Sequence, residues 1–93
     1  MNFQAAGQLI RQARQAKGLT QKRLATSAGV DDSYLSKIEN GTITHAPKAD
    51  VIDALSQQLG LSPHAQAELR QHYGKRCVEN WLPSTAFLLD YIG

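Results

Sequence analysis

A single cysteine, Cys77, stands in a chain of 93 residues, so no intramolecular disulfide can form and the composition suits a reducing cytoplasm. No stretch approaches the roughly 20 consecutive apolar residues that a membrane span needs, and the opening run NFQAAGQLIRQARQAKG has no continuous apolar segment of the kind a secretory signal carries. The expectation is a cytoplasmic protein with no membrane partner. Neither sign of charge dominates: Lys and Arg exceed Asp and Glu by only two, too small an excess to identify a nucleic-acid partner by itself. No Gly-rich phosphate loop, HExxH or G-x-S-x-G run occurs, which leaves no catalytic residues to nominate, no cofactor, and a chain expected not to be an enzyme. His45, His64, His72 and Cys77 fit no compact zinc spacing, and surface histidines with a small buried thiol account for them without a metal.

The hydrophobic share of 42% is enough for one domain, and the length exceeds the roughly 70 to 80 residues below which a single core needs staples. Glycine and proline punctuate segments of helical period, so the fold class is all-α. Ala6, Leu9, Ile10 and Ala13 form one apolar stripe, closed by Gly18. Thr20 is suited to cap a second helix with Leu24, Ala25 and Ala28 inward and Gly29 at its end. Asp31 is suited to cap a third, its carboxylate accepting from the first-turn amides, and Asn40-Gly41 stops it. After the loop GTITHAP, a fourth helix begins near Pro47 or Lys48 and buries Val51, Ile52, Leu55 and Leu59 before Gly60. Ser62-Pro63 opens a fifth, with Ala65, Leu69 and Tyr73 on one side and Gly74 ending or loosening it.

Charge is distributed unevenly. Arg11, Arg14, Lys17, Lys22 and Arg23 fall between residues 10 and 23 with no acid among them, as either a solvated face or a polyanion-facing surface would have it. The third helix is more informative. Stepping 100° per residue from Leu35, Ile38 and Glu39 fall within about 60° of it, while Ser33, Ser36, Lys37 and Asn40 gather opposite. Short or flexible polar groups on an outward face are what a helix in the major groove needs, and Lys37 can reach guanine O6 and N7.

The run LIRQARQAKGLTQKRLATSAGVDDSYLSKIENG resembles the Cro and phage-repressor helix-turn-helix family of the xenobiotic-response-element type. The matching features are GLTQ at residues 18–21, Leu24-Ala25, Gly29-Val30, SYLSKIENG at residues 33–41 and LGLS at residues 59–62. The resemblance covers about residues 6–62 and implies a five-helix bundle, a lambda-repressor-like DNA-binding domain whose third helix is the recognition helix. It implies base contacts from Asp32, Ser33 and Lys37, and phosphate contacts from Gln21 and Asn40. Lys22 and the loop residues Thr42, Thr44 and Lys48 are expected to add phosphate contacts beside these. It also implies a structural ion pair between Arg14 and Glu39 behind the recognition helix.

Two departures stand out. Asp32 at an edge facing a polyanion either accepts from cytosine N4 or adenine N6, or lowers affinity. The loop TITHAPK offers hydroxyls where many relatives carry lysine or arginine, so modest affinity per chain and a need for two subunits are expected. Residues 1–74 are expected to form the DNA-binding domain and residues 75–93 a short apolar C-terminal extension. Trp81, Leu82, Phe87, Leu88, Tyr91 and Ile92 in that extension either make a dimer contact or fold back on their own subunit. The expected function is sequence-specific binding of double-stranded DNA as a small transcriptional regulator, a repressor acting as a homodimer. The alternative is a protein-interaction module or antitoxin-like subunit with a protein partner and weak or no DNA binding.

Overall fold

The structure is a computed structural model, described here over residues 2–74; the proposed contact residues between Trp81 and Ile92 and the division at residue 75 therefore lie outside the described residues. Five helices follow one another: α1 (Phe3–Ala16), α2 (Gln21–Ala28), α3 (Asp32–Asn40), α4 (Ala49–Leu59) and α5 (Pro63–Tyr73), with no strand among the described residues.

Local chemistry sets most of the boundaries. Asn2, Thr20 and Ser62 each hold an extended or otherwise non-helical backbone, and their side-chain oxygens accept from the amides of Ala5 (3.0 Å), Arg23 (3.1 Å) and Ala65 (3.1 Å). Each bond satisfies a first-turn donor that the helix itself cannot pair, worth about 1 kcal/mol per cap. α2 closes on Gly29 at φ +73°, with Gly29 N–H donating to Thr26 and Val30 N–H reaching back to Ala25 at 2.9 Å. Left-handed backbone at that point turns the chain sharply into α3, and glycine adopts it without the Cβ penalty.

Two expectations about boundaries need correction. Asp31 does occupy the N-cap position of α3, but its carboxylate makes no cap hydrogen bond and accepts from the Ser33 hydroxyl instead. A nearby hydroxyl competes well for a carboxylate that is already solvent-exposed. The fourth helix starts at Ala49, with Lys48 extended (φ −66°, ψ 155°) in the cap position; a lysine has no acceptor to offer there, and the Lys48 carbonyl takes the first bond, from Ile52 N–H at 3.1 Å.

Ala6 and Ile10 from α1, Leu24 and Ala25 from α2, Leu35 and Ile38 from α3, Ile52, Leu55 and Leu59 from α4, and Leu69 and Tyr73 from α5 form one buried core. Ala28, Val51 and Ala65, which the helical period also turns inward, are half-buried at its margin. The chain start is tied to α5 through Asn2 N–H to the His72 carbonyl (2.6 Å) and the Phe3 ring tilted against Tyr73 at 5.8 Å. Arg70, itself buried, donates to Asp53 at 3.0 Å and so joins α5 to α4.

α1 crosses α3 at Gly7, and this contact sets the position of the candidate interface. A Cβ there would lie 2.3 Å from the Glu39 carbonyl oxygen and 2.4 Å from that of Ile38. Only a hydrogen lets the two backbones come this close, which explains a glycine in mid-helix, where it costs about 1 kcal/mol relative to alanine.

Candidate nucleic-acid interface

α3 is held from behind by Leu35 and Ile38, both fully buried, and so turns Asp32, Ser33, Lys37 and Asn40 to solvent, with Tyr34 and Ser36 half-buried at the sides. Lys37 shares an open concavity with Thr42, Thr44 and Lys48, so one nominated base-contacting side chain and three nominated phosphate-contacting ones meet on the same surface. Tyr34, Ile43, His45 and Ala46 complete its lining. Tyr34, one residue from the core stripe, carries no signal in the sequence of which edge it lines; partial burial raises its phenol above the ordinary value. Lys22 lies apart from this group, in a shallow depression on α2 with Thr20, Arg23, Thr26 and Ser27.

Asp32 and Ser33 open the helix. The Ser33 hydroxyl hydrogen is committed to Asp31, so the free valence that Ser33 offers a partner is its acceptor lone pairs. The same bond is the main cause holding the Asp31 carboxyl below its ordinary range, with weaker support from the partial positive charge of the first-turn amides it faces and from the Lys37 charge. Asp31 therefore stays ionised, and the acidic entry to α3 comprises two exposed carboxylates, Asp31 and Asp32.

Behind α3 lies a charged network centred on Glu39, which is 2% exposed. Arg14 Nε donates to Glu39 Oε2 at 2.8 Å and its Nη2 to Oε1 at 3.1 Å, a two-pronged geometry that a planar guanidinium supplies and an ammonium does not. Arg14 also caps the Leu19 carbonyl at 2.8 Å, which joins the α1–α2 turn to α3. Arg11 Nε reaches Glu39 Oε1 at 3.3 Å, and Gln21 Nε2 donates to the same oxygen at 3.1 Å. Burial alone would push the Glu39 carboxyl up; the bonds from Arg14 and Gln21, the Arg14 charge and the bond from Arg11 outweigh it and leave the group below its ordinary range.

The network engages two residues nominated for phosphate. Gln21 spends one amide hydrogen on Glu39 and so faces partly into the molecule. Asn40 is exposed, and its Oδ1 accepts from Arg11 Nη2 at 2.6 Å. In the sequence Arg11 reads only as part of a basic run, because its partners lie 28 and 29 residues along the chain, beyond any local pattern. Among the described residues no helix is long and apolar enough to cross a membrane.

The family model described as helix-turn-helix matches residues 10–65, from the middle of α1 into α5. The HTH-type transcriptional regulator SinR of Bacillus subtilis (strain 168) and that of Bacillus licheniformis are each 41% identical over 58 residues, 62% of this chain and 51% of theirs. The chain thus aligns with about half the length of these curated relatives. Among solved structures, the restriction-modification controller protein C.AhdI from Aeromonas hydrophila superposes with a TM-score of 0.62 at 33% identity, over 69% of this chain and 94% of that one. A SinR protein/SinI protein complex superposes with a TM-score of 0.61 at 30% identity, over 91% of each chain.

Proposed function

This chain belongs to the helix-turn-helix family, and from that premise we propose that it binds double-stranded DNA as a transcriptional regulator, with α3 in the major groove. The observation that carries the reading is the surface shared by Lys37 on α3 with Thr42, Thr44 and Lys48 on the following loop. A base-reading cation and a set of phosphate-seeking groups on one surface match the two tasks such a helix performs. In this reading Asp32, Ser33 and Lys37 face base edges, while Lys22, Asn40, Thr42, Thr44 and Lys48 hold the backbone. Gln21 contributes its second amide hydrogen, beside the free amides at the start of α2. Arg14 and Glu39 hold α3 from behind.

Few base contacts come from one such helix, so the site is read by two copies on half-sites about 34 Å apart, with Trp81, Leu82, Phe87, Leu88, Tyr91 and Ile92 supplying the contact between them. Bound across a promoter, the dimer represses by occupying it, and the work is done in the cytoplasm. The names of the relatives support this reading: transcriptional regulator in two cases and controller protein in another.

One observation favours a second reading. A superposable chain is seen in a complex between SinR and the SinI protein, so a protein partner for this fold is the alternative. A salt titration on duplex DNA separates the two. Contact with several phosphates makes log K fall linearly with log salt, by about 0.9 per phosphate neutralised. A protein-binding module gives no saturable complex with any duplex, and that result would sink the DNA reading.

A further inference from the structure

Arg11 joins the buried carboxylate behind α3 to the exposed amide at its end, and the chemistry of the contact fixes which way that amide faces. A guanidinium carries donors only. The Asn40 atom 2.6 Å from Arg11 Nη2 must therefore be the carbonyl oxygen, and the two hydrogens on Nδ2 have no hydrogen-bond partner among the described residues. Arg11 is itself held by its Nε on Glu39 Oε1, and Glu39 is held in turn by Arg14. The sequence Arg14–Glu39–Arg11–Asn40 runs from the core to solvent.

Resting on the DNA-binding reading above, we infer that Arg11 is a positioning residue, which locks the Asn40 side chain with its NH2 group outward and so makes it a dedicated donor to a phosphate oxygen. An unrestrained carboxamide on the surface presents oxygen or nitrogen with similar ease, and only the nitrogen suits a polyanion. Holding the oxygen on Arg11 removes the repulsive orientation before DNA arrives, so less ordering is left to do on binding. Arg11 is partly exposed, with 34% of its side chain accessible, yet two of its guanidinium nitrogens are spent on Glu39 and Asn40.

A double-mutant cycle with Arg11→Met and Asn40→Ala, using a mixed-sequence duplex at low salt, tests this, because phosphate contacts do not depend on base sequence. Each single change should weaken binding about tenfold, and adding Arg11→Met to Asn40→Ala should cost no more than about twofold further. The salt slope of Arg11→Met should stay close to that of the unaltered chain, whereas loss of a direct Arg11–phosphate contact would reduce it by about 0.9. If Arg11→Met does not fold, Arg11→Lys takes its place: a point charge can neutralise Glu39 without also spanning to Asn40, and the same non-additivity is expected. Multiplicative losses, a slope lowered by a full contact, or no effect of either single change would overturn the inference while leaving DNA binding intact. Failure of the unaltered chain to bind any duplex would overturn the regulator reading, and this inference with it.

Discussion

Gly7→Ala sets two physical effects against each other with opposite signs. Helix propensity alone favours alanine at a mid-helix position by about 1 kcal/mol. The structure places the new methyl 2.3 Å from the Glu39 carbonyl oxygen, 2.4 Å from that of Ile38 and 2.7 Å from the Glu39 carbonyl carbon, all backbone atoms that cannot rotate away. Ordinary contact begins about 1 Å further out, so α1 has to retreat from α3 by that much. Retreat loosens Ala6 and Ile10 against the core and stretches the Arg11 and Arg14 bonds to Glu39. Overpacking costs about 1 to 3 kcal/mol, and part of the network's hydrogen bonding adds about 1 more. After the propensity gain is subtracted, a net loss of about 2 kcal/mol remains, which lowers the midpoint of thermal unfolding by about 8 to 16 °C in a domain of this size. Urea denaturation followed by circular dichroism measures it directly. A variant as stable as the original, or more so, would show that the close crossing of α1 and α3 is not as described.

The remaining predictions concern charge and the core. Glu39→Gln should destabilise the fold by about 2 kcal/mol at neutral pH, less than the loss expected for a wholly sequestered pair because Arg11 can turn to water. The Glu39 carboxyl is lowered from its ordinary value of 4.5 on folding, so its stabilisation is complete above that value and is lost as pH falls through the lowered one. The gap between the two proteins should therefore close in acid, and an equal gap at neutral and strongly acidic pH would refute the assignment. Leu35→Ala, at a fully buried core position, should cost about 2 to 5 kcal/mol in a denaturant titration; a loss under 1 would place Leu35 outside the core. Lys37→Ala should weaken the best-bound duplex by about 1 to 3 kcal/mol and change non-specific binding little; a uniform loss across sequences would assign Lys37 to phosphate.

Features that act within one helical turn were legible in the sequence. Thr20 and Ser62 cap helices because a side-chain oxygen and an amide three residues on are brought together by covalent geometry alone, and Gly29 ends α2 because the turn needs a left-handed residue there. The 100° step turns Leu35, Ile38 and Glu39 inward together, and all three are buried. Asp31 shows the limit of such reasoning even locally: the cap position was readable, but whether its carboxylate would take an amide or the Ser33 hydroxyl was not, since both lie within reach.

Which distant groups share an oxygen was decided only when rigid helices packed. Glu39 Oε1 collects Arg11, Arg14 and Gln21 from 28, 25 and 18 residues away; the family resemblance implies the Arg14 pairing, but no spacing in the chain marks Arg11 or Gln21 as its companions. Gly7 reads in the sequence as a weak helix residue, and becomes necessary only because two backbones cross there. Arg70 likewise looks exposed until α5 lies against Asp53 of α4. Periodicity and caps report energies of a few residues in fixed covalent proximity; the orientation of Asn40, the ionisation of Glu39 and the meeting of Lys37 with Thr42, Thr44 and Lys48 depend on where whole elements come to rest.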